Sequence, residues 1–191
     1  MKVAILGGKF DPPHFGHLLI AQQVLESDLG IDEVWLLPAK NHPWKTIIAS
    51  VEQRLEMVKL LTNDKIKVSD IDLYRDGNIY TIDTVKILRQ KYHYKFYWII
   101  GSDNSTDFKK WKDWLQLKKM IRFIVIQRVG FPTGKLQSNF ILLYNKNLLI
   151  NNYSSDIIRF RIKNNLPIDG LVPVKIKKYI RTNRLYASRN Q

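Results

Sequence analysis

The sequence predicts an α/β fold: a doubly wound parallel sheet with helices on both faces and a small helical portion at the C-terminal end. Two observations support this prediction. Short apolar runs alternate with helical periodicities from the first residue onward, and loops rich in polar residues follow several of these runs. A chain of 191 residues is long enough for one such domain with a substantial core. We therefore predict a single domain over residues 1–191.

The first half of the chain contains three predicted strands, each followed by a predicted helix. Short runs rich in apolar residues predict strands at Lys2–Leu6, Glu33–Leu37 and Lys67–Ile71. Apolar residues at helical spacing predict helices at His17–Ser27, at the segment that follows Ser50, and at Thr81–Lys91. Ser50 is a typical helix cap, because Gln53 follows three residues later.

The second half continues the alternation. Strands are predicted at Phe96–Ile100 and Arg122–Ile126, with a Trp-rich helix or lid at Asp107–Leu117 between them. The interrupted apolar segment Asn139–Ile150 predicts a strand with a loop, and two closing helices are predicted at Ser154–Lys163 and Val174–Arg181. Strand–helix alternation favours parallel strands, and ligands of such sheets bind beyond the carboxyl ends of the strands. The loops after Leu6, Leu37 and Ile100 are therefore the expected binding site.

Composition excludes several classes of protein. The chain has no cysteine, which rules out disulfides, thiolate catalysis and cysteine-type zinc sites. No apolar run reaches the roughly 18–20 residues of a membrane span, and the N-terminus does not resemble a signal peptide. We expect a cytoplasmic enzyme without membrane contact.

The net charge of +14, from 31 basic and 17 acidic residues, leaves three interpretations open. The lysines and arginines could simply be solvated over the surface. They could also steer small anionic nucleotides toward a site, or neutralise the phosphates of a polynucleotide. The basic residues are scattered, apart from a denser stretch between Lys175 and Arg189. A nucleic-acid partner is the least favoured of the three.

The loop after the first strand carries the strongest chemical signal. Gly7 and Gly8 allow backbone N–H groups to approach an anion closely. His17 falls at the start of a predicted helix, where free N–H groups favour a phosphate. His14 and His17, three residues apart, could donate hydrogen bonds to phosphate oxygens in a transition state.

Other interpretations of this loop are weaker. A zinc site using His14, His17 and either Asp11 or His42 would lack the H-E-x-x-H spacing typical of such sites. The two histidines could also be surface residues beside a tight turn. The segment matches neither G-x-x-x-x-G-K-[ST] nor G-x-G-x-x-G, which argues against a P-loop and against a dinucleotide redox site.

The segment Gly7–His17, written G-G-K-F-D-P-P-H-F-G-H, resembles the signature of the nucleotidylyltransferase superfamily, which is named for its H-x-G-H motif. Within that superfamily, further segments resemble bacterial nicotinate-nucleotide adenylyltransferases. They occur in the family's order from Met1 to about Arg181: P-A-K-N-H-P-W-K, Y-T-I-D-T, G-S-D, W-K-D-W and Y-S-S-D-I-I-R. Several matches in one order are more specific than any single motif.

The resemblance implies a Rossmann-like fold and adenylyl transfer from ATP to nicotinate mononucleotide, with Mg²⁺ accompanying ATP and no metal ligand among the residues below. The implied catalytic residues are His14, His17, Lys45 and Arg159. The implied ATP and phosphate contacts are Gly7, Gly8, Phe10, Arg128, Ser154 and Ser155. The implied nicotinate mononucleotide contacts are Tyr80, Thr81, Asp103 and Trp111.

Several positions depart from the family pattern, among them Trp44, Asp72 and Ile79. Two further departures carry opposite charges at positions that are usually neutral. Lys9 stands where the family usually has Thr or Ser, and Asp156 replaces a Thr of the S-S-T-x-I-R motif. Alternative functions are adenylyl transfer to nicotinamide mononucleotide or another phosphate acceptor, and nucleic-acid binding without catalysis. The oligomeric state is left open.

Overall fold

The computed structural model describes residues 1–41, 46–133, 136–144 and 148–187. Its centre is one sheet of six parallel strands in the order β3-β2-β1-β4-β5-β6. The strands are β1 (Lys2–Gly8), β2 (Glu33–Pro38), β3 (Ile66–Val68), β4 (Lys95–Gly101), β5 (Arg122–Ile126) and β6 (Phe140–Leu142). The predicted α/β fold with a parallel sheet is confirmed.

Helices cover both faces of this sheet. They are α1 (Phe15–Leu25), α2 (Val51–Lys59), α3 (Thr81–Lys91), α4 (Ser102–Thr106), α5 (Trp114–Met120), α6 (Ser155–Lys163) and α7 (Val174–Thr182), with a 3₁₀ turn at Phe108–Lys110. Within the described ranges, none of these helices has the length and apolar character needed to cross a membrane.

Alternation along the strands divides the core into two layers, because successive side chains of a strand point to opposite faces. In β1, Ala4 and Leu6 pack in the layer that receives α1, α2, α6 and α7. Val3 and Ile5 pack in the opposite layer, which receives α3 and α5. The second layer is rich in aromatic residues, and Phe108 packs edge-on against Phe123 at 4.7 Å between ring centroids. The sheet is therefore doubly wound, as predicted.

The Trp-rich segment differs from the prediction. A continuous helix over Asp107–Leu117 is wrong: α4 follows β4 directly, and the 3₁₀ turn and α5 come after it. The alternative of a lid stays a prediction. Two backbone conformations interrupt the helix. Trp111 is extended (φ −74°, ψ 144°), and Asp113 is left-handed (φ 49°). Leu117 completes the second core layer from α5.

Other boundaries shift by a few residues. Helix α1 begins at Phe15 rather than His17, and β3 covers Ile66–Val68 rather than Lys67–Ile71. In the segment predicted as a strand with a loop, a strand covers Phe140–Leu142.

Strand β1 lies between β2 and β4. The chain therefore adds β2 and β3 on one side of β1, and then returns to add β4, β5 and β6 on its other side. This reversal opens a crevice at the carboxyl ends of β1 and β4, where ligands of such sheets bind. The loop of residues 9–14 and helix α4 lie at that edge.

Candidate active site

His14 and His17 form a tight pair at the carboxyl end of β1. His14 has extended backbone (φ −151°) immediately before α1 and is 6% exposed. The centroids of the two imidazole rings lie 3.8 Å apart. The backbone N–H of His14 donates to Nδ1 of His17 at 3.2 Å. Because Nδ1 accepts this bond, the proton of neutral His17 resides on Nε2.

Both histidines are neutral at pH 7. Burial lowers the pKa of His14 to about 4, and the positive charge of Arg128 contributes. Burial also lowers the pKa of His17, with smaller contributions from His14 and Arg128. A neutral imidazole keeps one N–H donor. The pair can therefore present two hydrogen-bond donors to an anion without first losing protons.

Close packing fixes the positions of the two rings. A Cβ atom on Gly16 would lie 2.8 Å from Cβ of Tyr153 and 2.9 Å from Nδ1 of His14, so only glycine fits there. Phe10 is buried with its ring centroid 4.6 Å from that of His17. The side chain of Phe10 thus supports His17 from within the core, and the contact with ATP that the resemblance implies stays a prediction.

Asp11 joins four parts of the chain, whereas the sequence suggested it only as a ligand of the weaker zinc alternative. It is fully buried and accepts hydrogen bonds from the backbone N–H groups of Ile48 (2.8 Å) and Ala49 (3.0 Å). The hydroxyl of Tyr186 donates to it at 2.9 Å. Arg159 donates to its backbone carbonyl, and Nη1 of Arg159 lies 3.9 Å from its carboxylate. Asp11 thereby holds the first loop against the segment before α2, α6 and the C-terminal end.

Arg54 connects the loops after β1 and β2 through hydrogen bonds to their backbone carbonyls. Its buried guanidinium donates to four backbone carbonyls: Lys9 (2.9 Å), Ala39 (2.6 Å), Lys40 (3.2 Å) and Ala49 (3.3 Å). This arrangement fixes the described parts of the second loop beside the first. Lys45, the lysine implied by the resemblance, lies outside the described residues, as does His42 of the zinc alternative.

The start of α6 faces the first loop. Ser154 caps the helix by accepting from the N–H of Asp156 at 3.2 Å, and the hydroxyl of Ser155 donates to the carbonyl of Pro12 at 2.8 Å. Arg159 forms an ion pair with Asp156 one turn earlier. Ser154, Ser155 and Arg159 thus lie beside the loop that carries the histidines. The contact between Asp156 and Arg159 was not predicted.

Asp103 and Arg128 close the other side of the crevice. Nη1 of Arg128 lies 3.5 Å from Oδ2 of Asp103. The backbone N–H of Arg128 donates to the hydroxyl of Ser102 at 3.0 Å, which fixes the chain after β5 against α4. Among the described residues, Oδ1 of Asp103 and Nδ1 of His14 are buried without a hydrogen-bond partner. Unpaired buried polar atoms of this kind are typical of ligand sites.

A second group of residues lies at the start of α3. Tyr80 immediately precedes the helix and is 40% exposed, while Thr81 is its first residue. The ammonium of Lys112 lies 4.4 Å from the centroid of the Tyr80 ring and 3.3 Å from Oδ2 of Asp83. These contacts bring the segment of Trp111 against the start of α3, so Trp111 lies in a segment adjacent to Tyr80 and Thr81.

A buried polar cluster supports the first turn of α3. The hydroxyl of Thr84 donates to Asp72 at 2.8 Å, and Arg75 donates to the same carboxylate at 2.8 Å. Burial raises the pKa of the Asp72 carboxyl, while these two donors oppose the shift. The cluster fixes the loop before α3 to the helix. Sequence reasoning did not assign this role to Thr84 or Arg75.

Comparisons with known proteins place the chain in a family. Residues 5–161 match the family model described as cytidylyltransferase-like. A probable nicotinate-nucleotide adenylyltransferase of Bacillus licheniformis is 40% identical over 190 residues, which cover 97% of this chain and 98% of that protein. The nicotinate-nucleotide adenylyltransferase of Bacillus subtilis is 38% identical over 192 residues, covering 98% of this chain and 99% of that protein.

Solved structures agree in fold. The nicotinic acid mononucleotide adenylyltransferase of Plasmodium falciparum complexed with NaAD superposes with a TM-score of 0.81 at 24% identity, covering 97% of each chain. The same protein complexed with APC gives a TM-score of 0.76. On the strength of its curated relatives and its family model, the chain belongs to the cytidylyltransferase-like family and, within it, to the nicotinate-nucleotide adenylyltransferases.

Proposed function

We propose that this protein transfers the adenylyl group of ATP to nicotinate mononucleotide, giving nicotinate adenine dinucleotide and pyrophosphate in NAD biosynthesis. The observation that carries the proposal is the neutral pair of buried His14 and half-buried His17 at the crevice between β1 and β4. The start of α6 lies on one side of the first loop. Relatives of nearly equal length that carry this activity in their names support the same reaction.

The reaction needs no covalent enzyme intermediate. A 5′-phosphate oxygen of the mononucleotide attacks the α-phosphorus of ATP in line, a P–O bond forms, and the bond to the bridging α–β oxygen breaks as pyrophosphate leaves. Catalysis then consists of positioning the reactants and stabilising charge. The N–H groups of His14 and His17 donate to the α-phosphate oxygens, whose negative charge increases in the transition state.

The leaving pyrophosphate requires cationic and N–H donors. Arg159 and the start of α6 supply them on one side, with the hydroxyls and N–H groups of Ser154 and Ser155. Arg128 supplies a second guanidinium close enough to influence both histidines. Lys45 is proposed as a further phosphate contact from the sequence alone. Gly7 and Gly8 allow the backbone of β1 to approach the nucleotide.

Mg²⁺ would enter with ATP. In the described ranges, no three histidine or carboxylate side chains are grouped as metal ligands. The unpaired carboxylate oxygen of Asp103 is a suitable hard ligand, directly or through water. The ion would therefore bind mainly to phosphate oxygens and water, and it would neutralise charge on the triphosphate.

The acceptor would bind at the start of α3. Trp111 offers a ring for stacking on the pyridine, and N–H groups near Tyr80 and Thr81 suit its carboxylate. Asp103 can accept hydrogen bonds from ribose hydroxyls. We also propose that residues 1–191 act as one unit in the cytoplasm.

The test supplies ATP and Mg²⁺ with nicotinate mononucleotide or nicotinamide mononucleotide and measures pyrophosphate release. Release with a strong preference for nicotinate is the expected result, and no release with either acceptor would contradict the proposed function. Salt-sensitive binding of DNA or RNA without pyrophosphate release would instead favour the nucleic-acid alternative.

A further inference from the structure

Lys112 is a cation at the start of α3 that the proposed mechanism does not use. Its ammonium lies over the exposed ring of Tyr80, 4.4 Å from the centroid, and 3.3 Å from Oδ2 of Asp83 in the first turn of the helix. It directly follows Trp111 in the chain. The side chains of Lys112 and Asp83 are 44% and 29% exposed, so both remain accessible to a ligand.

We propose that Lys112 is a specificity-determining residue, which binds the carboxylate of nicotinate mononucleotide and so selects it over nicotinamide mononucleotide. This inference rests on the proposed function. The two acceptors differ only in that one carries a carboxylate where the other carries a neutral amide. Backbone N–H groups can donate to an oxygen of either group. An ammonium distinguishes them more strongly, because it interacts with a full negative charge.

The contacts of Lys112 show that it can reach a carboxylate in this place. It already pairs with the carboxylate of Asp83 in the same helical turn whose N–H groups favour anions. Exposed ion pairs of this kind contribute little free energy, and the lysine side chain has a flexible stem with three donors. Lys112 can therefore exchange Asp83 for the substrate carboxylate at small cost.

Substitutions of Lys112 and of Asp83 are expected to change the preference between the two acceptors in opposite directions. Lys112→Met keeps most of the side-chain length and removes the charge, and we expect kcat/KM for nicotinate mononucleotide to fall about tenfold while that for nicotinamide mononucleotide stays within about threefold. Asp83→Asn removes the competing carboxylate, and we expect the ratio of the two kcat/KM values to shift severalfold toward nicotinate. If the pair only fastened the Trp111 segment to α3, both variants would impair both acceptors alike, which would overturn the inference.

Lys110→Met is the matched control, since Lys110 lies in the same segment and pairs with Asp107 at 2.7 Å. It should leave the ratio unchanged, and a shift equal to that of Lys112→Met would also overturn the inference. Failure of the proposed function would give a different result from failure of this inference, because the unaltered protein would then release no pyrophosphate with nicotinate mononucleotide. An unaltered protein that prefers nicotinate, together with a Lys112→Met variant that keeps this preference, would refute the role of Lys112 alone.

Discussion

The hydroxyl of Tyr186 donates a 2.9 Å hydrogen bond to Oδ1 of Asp11, a residue 175 positions earlier in the chain. Both side chains are buried. Tyr186 adopts a left-handed backbone conformation (φ 64°), which is unfavourable for a non-glycine residue and requires compensation from its contacts. Burial, together with the Asp11 carboxylate, raises the pKa of Tyr186, so its hydroxyl remains a donor over the whole working range of pH.

Tyr186→Phe should lower the free energy of unfolding by about 1–3 kcal/mol, because a buried carboxylate loses one of its donors. Urea denaturation followed by circular dichroism measures the change. Tyr74→Phe is the control, since that side chain is 66% exposed. Equal midpoints for the Tyr186→Phe variant and the unaltered protein would show that the bond does not stabilise the fold.

His17→Ala should lower kcat about 100-fold or more, as expected when a donor to the transition state is removed. The midpoint of thermal unfolding should remain above the assay temperature. Steady-state pyrophosphate release measures kcat, and His93→Ala, at an exposed position, serves as the control. Activity of His17→Ala within a few-fold of the unaltered protein would exclude a catalytic role.

The stability of the protein should fall as pH decreases from about 6.5 to about 4. In this window the unfolded chain takes up a proton on His14, whose ordinary pKa is 6.5, whereas burial lowers the pKa in the folded protein to about 4. The difference corresponds to roughly 3 kcal/mol at the acid end of the window. Urea denaturation between pH 7.5 and 4.5 measures it.

His14→Gln should flatten this pH dependence, because the variant has no imidazole to protonate at that position. His93→Gln should leave the slope unchanged, since its side chain is exposed. An identical slope for His14→Gln and the unaltered protein would mean that His14 titrates alike in both states.

Asp156→Thr should lower the KM for ATP severalfold. Asp156 pairs with Arg159 through an exposed carboxylate, and it therefore competes with phosphate oxygens for the guanidinium. Threonine is the residue that the family usually has at this position. Asp169→Asn breaks another exposed ion pair, with Lys177, and should leave the KM for ATP unchanged. A raised KM for Asp156→Thr would show that Asp156 orients Arg159 rather than competing for it.

The sequence predicted the parallel sheet and the site at its edge because these depend on local signals. The apolar run of β4 and the two glycines that end β1 mark where strands end, and the order of motifs along the chain indicates their chemistry. The Trp-rich segment was predicted incorrectly because its course is decided by single backbone conformations. The extended Trp111 and the left-handed Asp113 leave no periodic pattern in the sequence.

Contacts between distant segments were equally inaccessible to sequence reasoning. Asp11 and Tyr186, or Arg54 and the carbonyls that it contacts, are brought together only by the folded chain. A buried arginine within a helix has no distinguishing pattern, because exposed arginines occupy the same helical spacing. The pairing of Lys112 with Tyr80 likewise depends on how the 3₁₀ turn directs the segment after it.

The placement of Arg54 has a consequence for how fast and how tightly nucleotide can bind. Four carbonyls from the loops around the crevice are already bound to one guanidinium, so these loop segments are ordered during folding. Arriving ATP then loses little affinity to the entropy of organising them, which is the usual benefit of a preorganised site. For the described loop segments, association should therefore approach rigid docking, with adjustment of side chains such as Arg159 and Lys112.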